Sequence, residues 1–196
     1  MEVRNATEII CILDKSGSMG VLQEETIQGL NRFIREQQQE QGKCNFTLVQ
    51  FNQYVRVTIK QAPIEEVKEL NTQSYQPDGY TALLDAVGTT LKTAIEAQFF
   101  SPATALPSQV LVFIITDGME NASKLYSRKQ VYDMIQNLQT AKGWEFRFFG
   151  ANIDAFGEAE NIGICKDNAM QWERSKAGVE ILMEEMNMMA KKVGKK

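Results

Sequence analysis

Three oxygen-bearing side chains, Asp14, Ser16 and Ser18, stand at alternate positions directly after the apolar run Ile9-Ile10-Cys11-Ile12-Leu13. That run reads as a buried strand, so the D-x-S-x-S cluster leaves its carboxyl end, where Gly17 and Gly20 let the chain turn. Alternate residues entering a tight turn can aim their oxygens at one point, and a carboxylate with two hydroxyls suits a hard divalent cation. Alone, the cluster is a weak signal. Two later segments strengthen it: Gly79-Tyr80-Thr81-Ala82-Leu83, ahead of a helical pattern, and Ile114-Ile115-Thr116-Asp117-Gly118, at the end of another apolar strand. Both would return to the same edge of a parallel sheet.

Each piece has a local alternative. Ser18 and Thr81 could cap the helices that follow them, and Asp117-Gly118 could be a simple turn. Those alternatives do not explain why all five oxygen-bearing residues, Asp14, Ser16, Ser18, Thr81 and Asp117, fall at one sheet edge.

In their order along the chain these elements resemble the von Willebrand factor A domain and its metal-ion-dependent adhesion site, over nearly the whole length. The family's first motif maps onto Asp14, Ser16 and Ser18, its isolated threonine onto Thr81, and its final aspartate onto Asp117 in a T-D-G turn, with no departure. The ungapped length is similar to the small stand-alone members of bacteria and their phages. The resemblance implies that Ser16 and Ser18 bind Mg²⁺ (or Mn²⁺) directly. It also implies that Thr81 joins them in the ligand-bound state, while Asp14 and Asp117 hold coordinating waters. Few direct carboxylates would leave the ion's charge incompletely neutralised, so that an Asp or Glu of a partner protein completes the octahedron. The implied function is a metal-dependent protein-binding module and not an enzyme.

Rival chemistries lack their residues. The first turn, Gly17-Ser18-Met19-Gly20, has two glycines where a dinucleotide loop needs G-x-G-x-x-G, and no Walker loop or G-x-S-x-G elbow occurs. The chain has no histidine, which removes the Ser-His-Asp and Cys-His triads, the H-E-x-x-H zinc motif and the commonest general base. One enzymatic alternative stays open: an Mg²⁺-dependent phosphohydrolase with Asp14 as nucleophile and Lys15 as the nearby cation.

The 196 residues, 43% of them apolar, suffice for one substantial core, so residues 1–196 read as a single domain. A net charge of −4 with scattered Lys and Arg gives no footprint for nucleic acid, and the Lys191-Lys192 to Lys195-Lys196 tail reads as a solvated helix end. Cys11, Cys44 and Cys165, odd in number and far apart, read as buried free thiols of a reducing compartment. The polar start Met1-Glu2-Val3-Arg4-Asn5 leaves no room for a signal sequence before the first strand, and no apolar stretch approaches the roughly 18 residues a membrane helix needs. A cytoplasmic protein without membrane contact is expected.

The pattern that must position the five oxygens is an alternation of strands and helices. Ile27, Leu30, Phe33 and Ile34 recur at helical spacing up to Gly42; Phe46, Leu48 and Phe51 mark a second strand. Val55, Val57 and Ile59 alternate with Arg56, Thr58 and Lys60, an edge strand paired as a hairpin and broken at Pro63. Helices follow on Leu84, Val87, Leu91, Ala94 and Ile95, and on Val131, Met134, Ile135 and Leu138, separated by the central strand Val110–Ile115. A strand over Phe146–Phe149, a short helix over Ala155–Asn161 and a weak strand near Ala169–Trp172 precede a last helix whose Val179, Leu182, Met183, Met186 and Met189 form a core face. This predicts an α/β fold: a doubly wound, mostly parallel open sheet with one antiparallel edge strand and helices on both faces, of Rossmann-like type. Ligands of such sheets bind at the carboxyl ends of the strands. Tyr75, Tyr80, Asn52, Asn121, Asn152 and Asp154 lie in loops at that edge and form a candidate contact rim.

Overall fold

In the computed structural model, which describes residues 6–40 and 42–193, the first apolar run becomes β1 (Thr7–Asp14). β2 (Cys44–Phe51) and β4 (Gln109–Thr116) pair with it in parallel on its two edges, and helices cover both its faces, which is why it carries no polar alternation. β3 (Val55–Pro63) adds antiparallel to β2; β5 (Glu145–Gly150) and β6 (Ala169–Gln171) extend the far side in parallel. The strand order is β3-β2-β1-β4-β5-β6, the expected open sheet with one antiparallel edge. The carboxyl ends of its five parallel strands all face one way.

Alternate β1 residues divide the core. Ile9, Cys11 and Leu13 face α1 (Gln23–Gln38) and α5 (Lys176–Val193), while Ile10 and Ile12 face α2 (Leu83–Phe99), α3 (Arg128–Lys142) and α4 (Ala155–Asn161). In α5, Leu182, Met183 and Met186 are buried and Met189 packs against them, so the methionines serve the core as expected. Among the described residues no helix is long and apolar enough to cross a membrane.

Several expectations change. The edge strand runs through Pro63 because register shifts around Leu48 and a left-handed Gln61, with φ of 43°, absorb extra residues; this bulging leaves Val57 exposed and spoils the alternation. The segment over Ile27–Ile34 ends at Gln38, before Gly42, with Gln39 as its cap. Only Cys11 of the three cysteines is buried, since Cys44 opens the edge-side strand and Cys165 sits on an exposed turn; all three are free. Met1–Asn5 and Lys195-Lys196 lie outside the described residues, and Lys191 is held by Glu36 and Glu40 at 3.6 and 3.2 Å.

One buried charge has a measurable signature. Glu8 of β1 is 3% exposed, and burial pushes its carboxyl up to about 7 despite the hydrogen bond it accepts from Thr47 Oγ1 at 2.8 Å. A carboxyl raised in the folded state favours folding while protonated, and that contribution is lost as pH rises from about 4.5 through 7. Glu8→Gln is therefore expected to match wild type in urea denaturation near pH 4 and to exceed it by about 2 kcal/mol at pH 8. Identical stability of the two proteins at both pH values would show that Glu8 is solvated.

Candidate metal centre

The strand ends bring the five oxygen-bearing residues to one edge. Asp14 closes β1 fully buried, and its two oxygens are held from behind: Ser16 N–H donates to Oδ1 and Thr116 Oγ1 donates to Oδ2, each at 2.6 Å. Burial raises the Asp14 carboxyl to about 6; these donors oppose the rise, and the neighbouring Asp117 adds to it. Ser16 and Ser18 hydroxyls lie 3.1 Å apart, and Ser18 Oγ donates to Asp117 Oδ1 at 2.5 Å. Ser16 and Asp117 are each 2% exposed, whereas Ser18 opens to solvent.

Thr81 is 4% exposed on the loop ahead of α2. Its hydroxyl faces Ser18 across Gly118: a Cβ built on Gly118 would lie 3.2 Å from Thr81 Oγ1 and 3.8 Å from Ser18 Oγ. A side chain there would crowd the Thr81 hydroxyl. Neither serine nor threonine is spent as a helix cap. Position 18 lies inside the 3₁₀ turn Gly17–Leu22, and α2 starts after Ala82 without a side-chain cap.

Backbone and polar ties fix the three loops to one another. Gly17 N–H donates to Gly79 O at 3.0 Å and Asp78 N–H to Lys15 O at 2.8 Å, joining the first turn to the Thr81 loop. Gly79 has φ of 75°, where a side chain is strained, and a Cβ there would also displace Gln53 Oε1, 1.9 Å away, from its bond to Tyr80 N–H. Thr81 and Asn121 bond reciprocally, Thr81 N–H to Asn121 Oδ1 at 2.9 Å and Asn121 N–H to Thr81 O at 3.0 Å.

The missing cap of α2 comes from the loop after β4. Glu120 Oε2 accepts from Leu84 N–H at 2.9 Å, and Ser123 Oγ accepts from Asp85 N–H at 3.0 Å. In return Asp85 accepts from the backbone N–H groups of Lys124, Leu125 and Tyr126 at 2.8, 2.8 and 2.9 Å. Two orphan donors of the helix start are thus satisfied across 36 and 38 positions of sequence.

Of the candidate rim, Tyr80, 68% exposed, Asn121, Asn152 and Asp154 face outward; Tyr75 is fully buried with its hydroxyl on Asp14 O at 2.7 Å, and Asn52 is buried with its amide on Asp78. Asn121 braces Thr81, and Asp154 caps α4 by accepting from Gly157 N–H. Tyrosine and asparagine in a loop look alike in sequence whether they point in or out. Lys15 turns to Asp78, 3.5 Å away, which leaves it paired outside the carboxylates.

Arg174, which no sequence pattern singles out, covers the same site. It lies in the short segment between β6 and α5, with Nε 2.9 Å from Asp117 Oδ2 and Nη2 donating to Ser18 O. Neither Arg174 Nε nor Asp117 Oδ2 has an aligned hydrogen bond although both atoms are buried, so the attraction between them is Coulombic without a directed N–H···O.

Three hydroxyls, two carboxylates and a buried carboxylate oxygen without a directed donor fit a hard, oxygen-seeking divalent ion. Among the described residues no group of three or more His, Cys, Asp or Glu comes together, so an acid-only or thiolate cage is not the arrangement.

Comparison with known structures agrees on the fold. The zinc-occupied proximal thread matrix protein 1 of the mussel byssus aligns over 95% of this chain and 48% of its own, at 16% identity and a TM-score of 0.66. The chain thus spans about half the length of that protein. Manganese-loaded TRAP of Plasmodium vivax aligns over 91% and 72% at 17% identity, with a TM-score of 0.59. The von Willebrand factor domain of the type V pilus tip protein Mfa5 of Porphyromonas gingivalis aligns over 94% and 96% at 11% identity, TM-score 0.58. No curated protein matches by sequence. The family model of the von Willebrand factor type A domain matches residues 8–178, spanning every strand and all five candidate residues. This protein belongs to the von Willebrand factor type A domain family.

Proposed function

We infer that the chain is a metal-dependent protein-binding module in which Mg²⁺ at Ser16, Ser18 and Thr81 bridges to an Asp or Glu of a partner protein. The observation that carries this reading is the unequal use of the oxygens. Both carboxylates are engaged by neighbours, Asp14 from Ser16 N–H and Thr116, Asp117 from Ser18, while the hydroxyl side of the site opens at Ser18. An ion held mainly by neutral hydroxyls keeps most of its charge for an incoming carboxylate. Asp14 and Asp117 would hold its waters. The zinc of proximal thread matrix protein 1 and the manganese of TRAP support a divalent ion in this family.

The phosphohydrolase reading is disfavoured by the same hydrogen bonds. A nucleophilic Asp14 needs a free oxygen facing a substrate, and both of its oxygens are occupied in a side chain without exposure. Lys15 is directed to Asp78, away from where a phosphoryl group would need it.

Thr81→Ala separates site from scaffold. The Thr81 side chain caps no helix, so the substitution is expected to cost under about 1 kcal/mol in stability while weakening a verified partner at least tenfold in Mg²⁺. Chelation should release the same partner from wild type. Affinity that survives both chelator and Thr81→Ala would move recognition to another surface.

A further inference from the structure

Arg174 is the feature that the metal-bridging reading leaves unused. Among the described residues no other Lys or Arg forms an ion pair with Asp14 or Asp117, and Arg174 reaches across from the opposite end of the sequence to touch two of the three site segments at once. Its guanidinium lies beside Asp117 Oδ2, and its second contact, to Ser18 O, places it over the serine turn. The Asp117 contact lacks the parallel N–H···O geometry that makes Arg-carboxylate pairs strong. The guanidinium therefore supplies positive charge to a site built for a cation, and supplies it loosely.

We propose that Arg174 competes with the divalent ion for Asp117. This rests on the metal reading above. A guanidinium and a divalent ion drawn to one buried carboxylate repel each other, so binding of one disfavours the other at Asp117. The Arg174 side chain can leave because Glu173 and Arg174 lie outside regular structure, between two anchored points. Trp172 N–H holds Gly150 O at 3.0 Å, and Ser175 accepts at Oγ from Gly178 N–H and at O from Val179 N–H in the first turn of α5. Release of Arg174 breaks its contacts to Asp117 and to Ser18 O and leaves both the sheet and the first turn of α5 in place. The chain thereby holds its divalent affinity below what its oxygens alone would give.

The test is calorimetric titration of Mg²⁺ and Mn²⁺ into wild type, Arg174→Ala and Arg174→Gln, with circular dichroism confirming the fold of each. Both variants are expected to bind at least tenfold tighter than wild type. Metal binding by wild type with equal or weaker binding by both variants overturns the competitor role and leaves the metal site standing. No binding by any of the three proteins overturns the metal reading and this one with it.

Discussion

Asp14→Ala is expected to remove divalent-ion binding: where wild type binds Mg²⁺ or Mn²⁺ at about millimolar concentration or tighter, the variant should bind at least a hundredfold more weakly. Two losses combine. The carboxylate is one of only two negative charges at the site, and a unit charge beside a divalent ion is worth several kcal/mol at an effective dielectric of about 20, of which hydration leaves a part. The same carboxylate also holds Ser16 N–H and Thr116 Oγ1 at 2.6 Å, so its removal frees the turn that aims the serine hydroxyls. The fold should survive. A raised carboxyl is a destabilising charge at neutral pH, and its removal offsets part of the cost of the two lost hydrogen bonds. Isothermal titration of folded Asp14→Ala decides the matter, and metal affinity equal to wild type would dismantle the assignment of the site.

The largest stability effect is expected at Asp85, a residue without chemistry of its own. Its carboxylate is 7% exposed and accepts three backbone N–H groups, of Lys124, Leu125 and Tyr126. Hydrogen bonds to an ionised group contribute roughly 1.5–3 kcal/mol each, and alanine would leave three partly buried donors without a partner. Asp85→Ala is expected to cost about 3–5 kcal/mol in urea denaturation, and Asp85→Asn, which keeps one acceptor oxygen, about half as much. Metal affinity should fall with it, since the freed loop also carries Asn121, the brace of Thr81. A loss under 1 kcal/mol for Asp85→Ala would show that water replaces the carboxylate at these donors.

The contrast between those two residues explains what was legible beforehand. Asp14, Ser16, Ser18, Thr81 and Asp117 stand at the ends of apolar strands or at the foot of an amphipathic helix, and periodicity placed those ends within a residue or two. The doubly wound, mostly parallel sheet followed from the alternation of strands and helices, and the antiparallel edge from a hairpin. Asp85 was invisible because it sits inside a helical repeat and its donors lie 39–41 positions away. Tyr75 and Arg174 were obscured in the same way, by partners 61 and 156 positions distant. Cys165 was misjudged because a short strand predicted nearby suggested burial, whereas the chain passes it on an exposed turn.

The strand order β3-β2-β1-β4-β5-β6 has a bearing on how the protein is made. Read from the ribosome, β1 emerges first and becomes the middle of the sheet; β2 and β3 dock on one flank, and β4, β5 and β6 then queue on the other in order of synthesis. No strand has to be inserted between two already paired, which favours domain-wise growth during translation. Until β4 arrives, however, one long apolar border of β1 stays bare, and Ser18 waits 99 residues for Asp117. A nascent chain stalled before Gln109 would expose the stickiest edge of the molecule, so that stretch of translation is where a chaperone would be needed most.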